Sequence, residues 1–418
     1  MKHFLLIATA CLAALPAFAE RQLQYETCVL KDEVRTLRVQ YAGAGQPERA
    51  FLTLGGDEQL EISFDCLSHD TRNYSYTLLH LNADRTESSL SSSEFLHGFT
   101  TQDITDYALS LNTQQLYTHY SFLFPNADMQ PLVSGNYALK IYEDGDRDNV
   151  VAYVCFSVVE PLASISAKVR GNTDIELAGR LQQLDIDVSF GEMNIVNPAG
   201  EIRLLVRQNG RTDNEVFDPK PTYVENRRLR YINQKQLIFE AGNEYRHFDI
   251  ASAYFKGNNV DRITFDRNFC HAFLFPDEIR TESPYLTEYD ANGQYVVHAE
   301  KASDSDVEAD YMWVHFLLPA AEPWFTGSLF VCGDLACNTF SAENRMQYDV
   351  GHHTYHAALY LKQGAYDYQY LLLEKSTKRA SAIPVEGSHW QTQNEYTVYV
   401  FYRPFGARAD RLIALQTF

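Results

Sequence analysis

Short apolar segments separated by glycine- and asparagine-rich turns recur along the whole chain. At 202–208 the residues Ile202, Leu204 and Val206 alternate with Arg203 and Arg207, as in a strand with one buried and one solvent-facing side. Segments 138–142 and 150–159 are rich in β-branched and aromatic residues, and they flank an acidic segment at 143–149 that contains a glycine, which predicts a hairpin. Segment 117–124 predicts a further strand, and we expect these consecutive strands to pair with one another.

Long stretches of helical periodicity are scarce, and 27 tyrosines and 25 phenylalanines favour strands. Turn signals at 197–200, 209–210, 241–243, 256–259 and 291–293 have the spacing of antiparallel β-sandwiches. The pattern therefore predicts an all-β fold of tandem antiparallel β-sandwich modules, similar to immunoglobulin domains.

Two composition changes divide the chain into three modules. Glu160-Pro161 ends the first strand cluster, and an acidic stretch of small residues at 300–310 precedes a new apolar run at 311–318. We therefore predict β-sandwiches at 20–160, 161–305 and 306–418. The first contains a long loop at 82–106, and a loop of that length is uncommon unless it is functional or locally packed.

Residues 1–19 have the pattern of a secretory signal peptide, with Lys2, a short apolar run and a small-residue cleavage site at Ala17-Phe18-Ala19. No other segment is apolar for long enough to cross a bilayer as a helix. The formal net charge of −20 opposes binding to nucleic acid phosphates. These features predict an exported protein that does not bind nucleic acid.

Six cysteines follow the predicted signal peptide, namely Cys28, Cys66, Cys155, Cys270, Cys332 and Cys337. Only Cys332 and Cys337 bracket a short loop, so they are the candidate disulfide. A chain of this length can bury cores without disulfides, and a cysteine within a strand often serves as a small apolar residue.

Two motifs resemble metal sites, and in both the structural interpretation is stronger. Asp144, Asp146 and Asp148 have calcium-like spacing, but the chain then enters a strand instead of supplying the glutamate of an EF-hand. His352, His353 and His356 form HHxxH, but the segment continues as a strand, in which His353 and His356 point to opposite faces. We therefore predict no metal site and no cofactor.

Sequence motifs of the common nucleophile and nucleotide sites are absent, including GxSxG, the Walker loop and GxGxxG. Paired carboxylates are uninformative, because 55 acidic residues place some pair at a catalytic distance by chance. We predict that the protein is not an enzyme and assign no catalytic residue.

Several long blocks resemble the type IX secretion system plug proteins of the Bacteroidetes. The first are SFDCLSHDTRNYSYTLLHLNADR (63–85), SSSEFLHGF (91–99), ITDYALSLNTQQLYTHYSFLFPNADMQP (104–131) and SGNYALKIYEDGD (134–146). Later blocks at 197–214, 241–250, 308–318 and 361–374 extend the resemblance over nearly the whole chain after residue 19. The resemblance implies a non-enzymatic periplasmic protein at the inner face of the outer membrane. It would dock on the giant, SprA-like outer-membrane β-barrel translocon and close its pore while no cargo passes.

The loop 82–106 contains the candidate partner-binding residues Leu90, Phe95, Leu96 and Phe99 among serines and threonines. An exposed loop on a rigid sandwich is a common place for a docking surface. The alternative is a compact loop that folds these side chains onto its own sandwich.

Two other functions remain open from the sequence. The third module is similar in outline to early-set immunoglobulin modules that bind glycogen, so a periplasmic carbohydrate-binding or glycan-processing protein is one alternative. Its Gly-x-Leu loop is followed by Cys337 and Asn338 instead of the aromatic platform that sugars stack on. The other alternative is an outer-membrane β-barrel, which the terminal Phe418 suggests but the short strands oppose.

Overall fold

The computed structural model describes residues 24–44, 48–176, 179–267 and 269–418, and these residues fold mostly into antiparallel β-sheets. The all-β prediction is confirmed. The predicted signal peptide, 1–19, lies outside the described residues. Within the described ranges no helix is long and apolar enough to cross a membrane.

Residues 28–159 form the first sandwich. Its elements are β1 (Cys28–Val29), β2 (Val34–Tyr41), β3 (Leu52–Thr53), β4 (Leu60–Cys66), β5 (Tyr74–Leu81), α1 (Ser92–Phe95), β6 (Leu96–Gly98), β7 (Gln102–Ile104), β8 (Asp106–Leu109), β9 (Thr118–Phe124), β10 (Met129–Pro131), β11 (Gly135–Glu143) and β12 (Val150–Val159). One sheet has the order β1-β12-β11-β5-β7 with β3 beside β12, and the other has the order β2-β4-β9-β8. Phe64, Tyr74, Tyr120 and Tyr137 lie fully buried between them.

The hairpin predicted at 143–149 is confirmed, since β11 pairs with β12 and both Asp144 and Gly145 have positive φ. The expectation that all the consecutive strands pair is wrong for β9. It pairs with β4 and β8 in the opposite sheet, because the chain crosses the sandwich between β9 and β11.

The elements from 164 to 240 are β13 (Ser164–Arg170), β14 (Leu181–Ser189), α2 (Pro198–Glu201), β15 (Ile202–Gln208), β16 (Val216–Phe217), β17 (Tyr223–Glu225), β18 (Arg228–Tyr231), a 3-10 turn (Lys235–Leu237) and β19 (Ile238–Glu240). The elements from 246 to 386 are β20 (Arg246–Asp249), β21 (Val260–Asp266), β22 (Phe269–Leu274), β23 (Tyr295–Val297), α3 (Ser305–Glu308), β24 (Tyr311–Pro319), β25 (Gly327–Cys332), a 3-10 turn (Asp334–Ala336), β26 (Gln347–Asp349), β27 (Thr354–Lys362), β28 (Gly364–Glu374), β29 (Ala380–Ser381) and α4 (Ile383–Glu386). The last two strands are β30 (Tyr396–Tyr402) and β31 (Arg411–Thr417).

The final two strands complete the second sandwich. One of its sheets contains β13, β14, β17, β18 and β19, and the other has the order β16-β15-β30-β31. Leu204 of β15 faces Val400 of β30, and Val206 faces Val398, so the buried side of β15 is matched by strands from the far end of the chain. The second sandwich therefore consists of residues 164–240 and 396–417.

Residues 246–381 form an inserted sandwich between the two parts of the second. Its sheets are β21-β22-β24-β27-β26 and β20-β28-β23, with β25 and β29 also on β28. The predicted boundary between residues 305 and 306 is therefore wrong. β22 and β20, before it, pair with β24 and β28, after it. An acidic loop marked the boundary in the sequence, whereas backbone pairing joins the strands on both of its sides.

Hydrogen bonds at buried and partly buried positions fix the three sandwiches to one another. Arg49 of the first sandwich donates a 2.7 Å hydrogen bond to the carbonyl of Asn209 in the second sandwich. It donates another, of 3.1 Å, to the carbonyl of Asn292 in the inserted sandwich. Tyr117 donates 2.8 Å to the carbonyl of Ala309. Thr36 and Tyr311 hydroxyls lie 2.6 Å apart. These bonds hold the sandwiches as one body.

Candidate docking surface

The loop predicted at 82–106 is ordered by short elements and by its own side chains. It contains α1, β6 and β7, and β8 begins at its last residue. Glu94 caps α1 by accepting a 2.8 Å bond from the backbone N–H of Ser91. β6 pairs with β10, and Gly98 has φ +100, where a Cβ would collide with the carbonyl of Asp128.

The four candidate partner-binding residues fall into two groups. Phe95 and Leu96 are 6% exposed and belong to the core of the first sandwich, and Leu90 is half-buried against the same core. Phe99 is 65% exposed. Of the four, only Phe99 presents most of its side chain to solvent.

The exposed side of the β6–β10 ribbon, together with Phe99 and Leu132, is called here the Phe99 face. The N–H of Phe99 donates a 2.8 Å hydrogen bond to the carbonyl of Asp128, and the N–H of Leu132 donates one of 2.8 Å to the carbonyl of Phe95. Leu132 is 47% exposed. Two apolar side chains are therefore held in solvent on a backbone fixed by hydrogen bonds, although Leu132 was not identified from the sequence.

A hairpin of the second sandwich, residues 403–410, lies against the predicted loop. Arg408 forms an ion pair with Glu94, and its carbonyl accepts a 3.2 Å bond from Ser89 Oγ. Asp410 is fully buried and accepts a 3.0 Å bond from the N–H of Ala83. Phe405 at the hairpin tip is fully exposed. Contacts of this kind between sandwiches carry no signal in the local sequence.

Next to this hairpin, His80 is 1% exposed, and its Nε2 lies 3.3 Å from the carbonyl oxygen of Ser134. Burial lowers the pKa of His80 to about 4, although the Ser134 carbonyl and the Asp410 carboxylate act in the opposite direction. His80 is therefore neutral at pH 7 and packs as a core residue against Tyr137.

The sequence segment that carries the Phe99 face is acidic. Between Arg85 and Lys140 the sequence contains no lysine or arginine, but it carries Glu94, Asp103 and Asp106. The cations near this segment come from other parts of the chain, since Arg408 pairs with Glu94 and Arg147 donates a 2.7 Å bond to Thr101 Oγ1.

The candidate disulfide is absent, and the six cysteines of the described residues are free. Cys332 is buried with Phe330 and Leu371, whereas Cys337 adopts a left-handed backbone and lines a cavity of about 380 Å³ together with Cys28. The two sulfurs thus lie in different environments, which the short sequence spacing could not reveal.

The two metal-like motifs are ordinary turns or strand positions. Asp146 accepts a 3.0 Å bond from the N–H of Asp148 within the hairpin turn. His352 pairs with Asp349 at 2.7 Å, and His356 lies in β27. Among the residues described, no three His, Cys, Asp or Glu side chains are grouped to hold one ion.

A row of rings crosses the outer face of the inserted sandwich. The ring centres of His315 and Phe273 are stacked 4.2 Å apart, and a 2.9 Å hydrogen bond joins His315 Nε2 and His271 Nδ1. The Arg262 guanidinium lies 4.1 Å from the Phe273 ring centre. The faces of Phe273 are therefore occupied by its neighbours. This row does not provide the free ring face on which a sugar stacks.

A cavity of about 510 Å³ lies where the three sandwiches meet and is lined by Arg38, Arg49 and Arg85. Each guanidinium is already paired. Arg38 contacts Asp306, Arg49 lies 2.8 Å from Glu395, and Arg85 lies 2.6 Å from Glu215. The charges around the cavity hold the sandwiches together and are neutralised within the protein.

Comparison with known proteins identifies relatives of this arrangement. Residues 34–160 match the family model described as "Type 9 secretion system plug protein 1st domain". A crystal structure of a hypothetical protein from Parabacteroides merdae is 38% identical in sequence, with a TM-score of 0.92 over 95% of this chain and all of that one. A serine-rich repeat protein from Streptococcus agalactiae aligns at 8% identity and a TM-score of 0.13, which supports no inference. No curated protein matches.

Proposed function

Because the chain belongs to the type IX secretion system plug protein family, we propose that it is a non-enzymatic plug. It docks on the periplasmic end of the outer-membrane type IX translocon barrel and closes the pore while no cargo passes. The segment 1–19 directs its export, and the protein is held at the inner face of the outer membrane through its partner.

The observation that carries this proposal is that the matched range, 34–160, includes the Phe99 face. A docking surface needs exposed apolar groups on a rigid support, because ordering a mobile loop would cost binding free energy. Phe99 and Leu132 meet this requirement, since hydrogen bonds fix the backbone of both.

Obstruction of a wide channel also requires a body that does not deform. Arg49 joins all three sandwiches, and Phe401 and Leu412 of the second sandwich pack with Ala83 of the first. A pre-folded body of this kind blocks a pore by its shape and needs no chemistry.

The test of docking is recovery of the translocon barrel with the tagged plug from detergent-solubilised outer membrane, identified by mass spectrometry. We expect the barrel in the eluate of the wild type. Phe99→Ser combined with Leu132→Ser should reduce recovery about tenfold, as expected when central apolar contacts are lost. Phe325→Ser is the matched control, because Phe325 is 77% exposed on the inserted sandwich. An eluate of the wild type without the barrel would refute the proposal.

Pore closure has a separate test. Cells that lack the plug should admit a large hydrophilic dye through the outer membrane, and the wild-type gene should restore exclusion. The Phe99→Ser, Leu132→Ser variant should fail to restore it, whereas Phe325→Ser should succeed. Equal exclusion by cells with and without the plug would refute closure while leaving docking intact.

A further inference from the structure

Strand β8 is an open edge of the first sandwich. It is the last strand in the order β2-β4-β9-β8, and all four of its residues are exposed. The opposite edge, β2, is covered by the inserted sandwich, where Tyr295 donates to the carbonyl of Leu37 and Arg38 contacts Asp306. Within the described part of the chain, no strand covers the outer side of β8.

The hydrogen bonds next to β8 show which of its backbone groups point outwards. The N–H of Ser110 donates a 2.9 Å hydrogen bond to the carbonyl of Tyr117. Because every second residue of an antiparallel edge strand bonds to its neighbour, the backbone groups of Ala108 and Asp106 also bond to β9. The N–H and C=O groups of Tyr107 and Leu109 therefore point away from the sheet. The next outward group, the N–H of Leu111, already donates 2.8 Å to the carbonyl of Val307.

β8 has some protection, because it is only four residues long and begins with the charged Asp106. It has no lysine, proline or bulge, however, and its register with β9 is continuous. Tyr107 and Leu109 are 50% and 40% exposed, and Asp106 is exposed in the same strand.

We propose that β8 is a pairing edge to which a partner protein adds an extended strand carrying alternating apolar and basic side chains. The outward backbone groups of Tyr107 and Leu109 bond to the added strand, its apolar side chains cover those two residues, and a lysine or arginine on it faces Asp106. The basic character follows from the negative charge of Asp106 in β8, which lies in a segment without lysine or arginine between Arg85 and Lys140. The identification of this partner with the translocon rests on the proposed function.

Leu109→Pro removes an outward N–H and leaves the bonds to β9 intact. An edge strand tolerates proline at a position whose N–H points outward. Leu109→Ala is its control, because it removes the same side chain but keeps the N–H. Asp106→Lys reverses the charge, and Glu225→Lys on the equally exposed edge strand β17 is the matched control. Thermal unfolding of each variant verifies that the fold is retained.

Two partners are offered to each variant: the barrel in solubilised outer membrane, and a short synthetic peptide of alternating lysine and valine. We expect hydrogen exchange of the segment 105–111 to slow on binding of either one. Leu109→Pro and Asp106→Lys should weaken binding about tenfold, the scale of losing one to two hydrogen bonds or a charge contact. Leu109→Ala should weaken it less than Leu109→Pro, and Glu225→Lys should leave it unchanged.

The outcomes separate strand addition from the plug function. If the wild type captures the barrel but 105–111 stays unprotected and Leu109→Pro binds as well, strand addition is overturned and the plug function stands. If the peptide protects 105–111 but the barrel is not captured, strand addition stands and the plug function fails. If neither partner protects 105–111, strand addition is overturned.

Discussion

Asp65 of β4 and Lys362 of β27 form a buried ion pair of 2.6 Å between the first and inserted sandwiches, although 297 residues separate them in the sequence. Their side chains are 1% and 0% exposed. The Tyr311 hydroxyl donates 2.6 Å to the same carboxylate, and the Lys362 ammonium lies 4.2 Å from the Tyr117 ring centre. Burial alone would raise the pKa of Asp65, but Lys362 and His119 hold it below its usual range.

Lys362→Met should lower the free energy of unfolding at pH 7 by about 3–5 kcal/mol, because it leaves a carboxylate buried without its countercharge. Urea denaturation measures this change. Lys375→Met, at an exposed lysine of the same sandwich, should stay within about 0.5 kcal/mol of the wild type. Addition of Asp65→Asn to Lys362→Met should restore part of the loss. A Lys362→Met variant as stable as the Lys375 control would contradict a structural role for the pair.

Phe95 and Phe99 should behave oppositely on substitution by alanine. Phe95→Ala should cost about 3–5 kcal/mol of stability because it leaves a cavity in the first core. Phe99→Ala should change stability by less than about 0.5 kcal/mol, since its side chain is mostly in solvent. Thermal and urea unfolding compare the two, and equal losses would mean that Phe99 also packs in the core.

Acid should weaken the fold through His80. Its pKa is about 4 in the folded protein and about 6.5 when unfolded, so the unfolded chain binds the proton more readily between these values. The stabilisation is complete above pH 6.5 and is lost as the pH falls towards 4, by about 3 kcal/mol in total. Protonation would also add a buried donor at Nδ1, which has no hydrogen-bond partner among the described residues.

The measurement is urea denaturation at several pH values between 4 and 7. His80→Gln should flatten the loss of stability across this range, whereas His352→Gln, in an exposed turn, should reproduce the wild-type slope. Asp367 opposes the trend, because burial raises its pKa to about 7 and its contribution is lost as the pH rises. The comparison of the two histidine variants cancels this opposing contribution, and identical slopes would argue against a buried neutral His80.

The inserted sandwich should be removable. Thr392 Oγ1 donates 2.9 Å to the carbonyl of Gly242, so the chain enters and leaves the insertion at adjacent points. A protein in which a short glycine-serine linker replaces 243–391 should keep a folded second sandwich, measured by circular dichroism and cooperative unfolding. A chain that ends at 388 should lose it, because Leu204 and Val206 would no longer have β30 beside them. A cooperative second transition in the chain ending at 388 would refute this assembly.

Local pattern was sufficient for individual strands. Segments 150–159 and 202–208 coincide with β12 and β15, because alternation and β-branched composition are local properties. The pairing of β15 with β30 depends on contacts across the whole insertion, and no local signal specifies it. The acidic stretch at 300–310 was mistaken for a boundary because a surface loop within a sandwich has the same composition as a linker.

The candidate site was predicted only in part, for a related reason. Phe95, Leu96 and Phe99 are all apolar residues in one loop, and only the three-dimensional structure separates the buried pair from the exposed ring. The open edge at β8 was also missed, because exposure of an edge depends on which strand lies last in its sheet.

The insertion of one sandwich into another imposes an order of assembly on a chain that is synthesised from its N-terminus. β15 emerges before the inserted sandwich, and its sheet partner β30 emerges after it. If the inserted sandwich folds first, it brings residues 242 and 392 together, and the entropy cost of closing a very long loop falls to that of a short one. Maturation of the second sandwich would then depend on the folding rate of its insert. A slow-folding variant of the insert would leave the apolar side of β15 exposed to aggregation and proteolysis for longer.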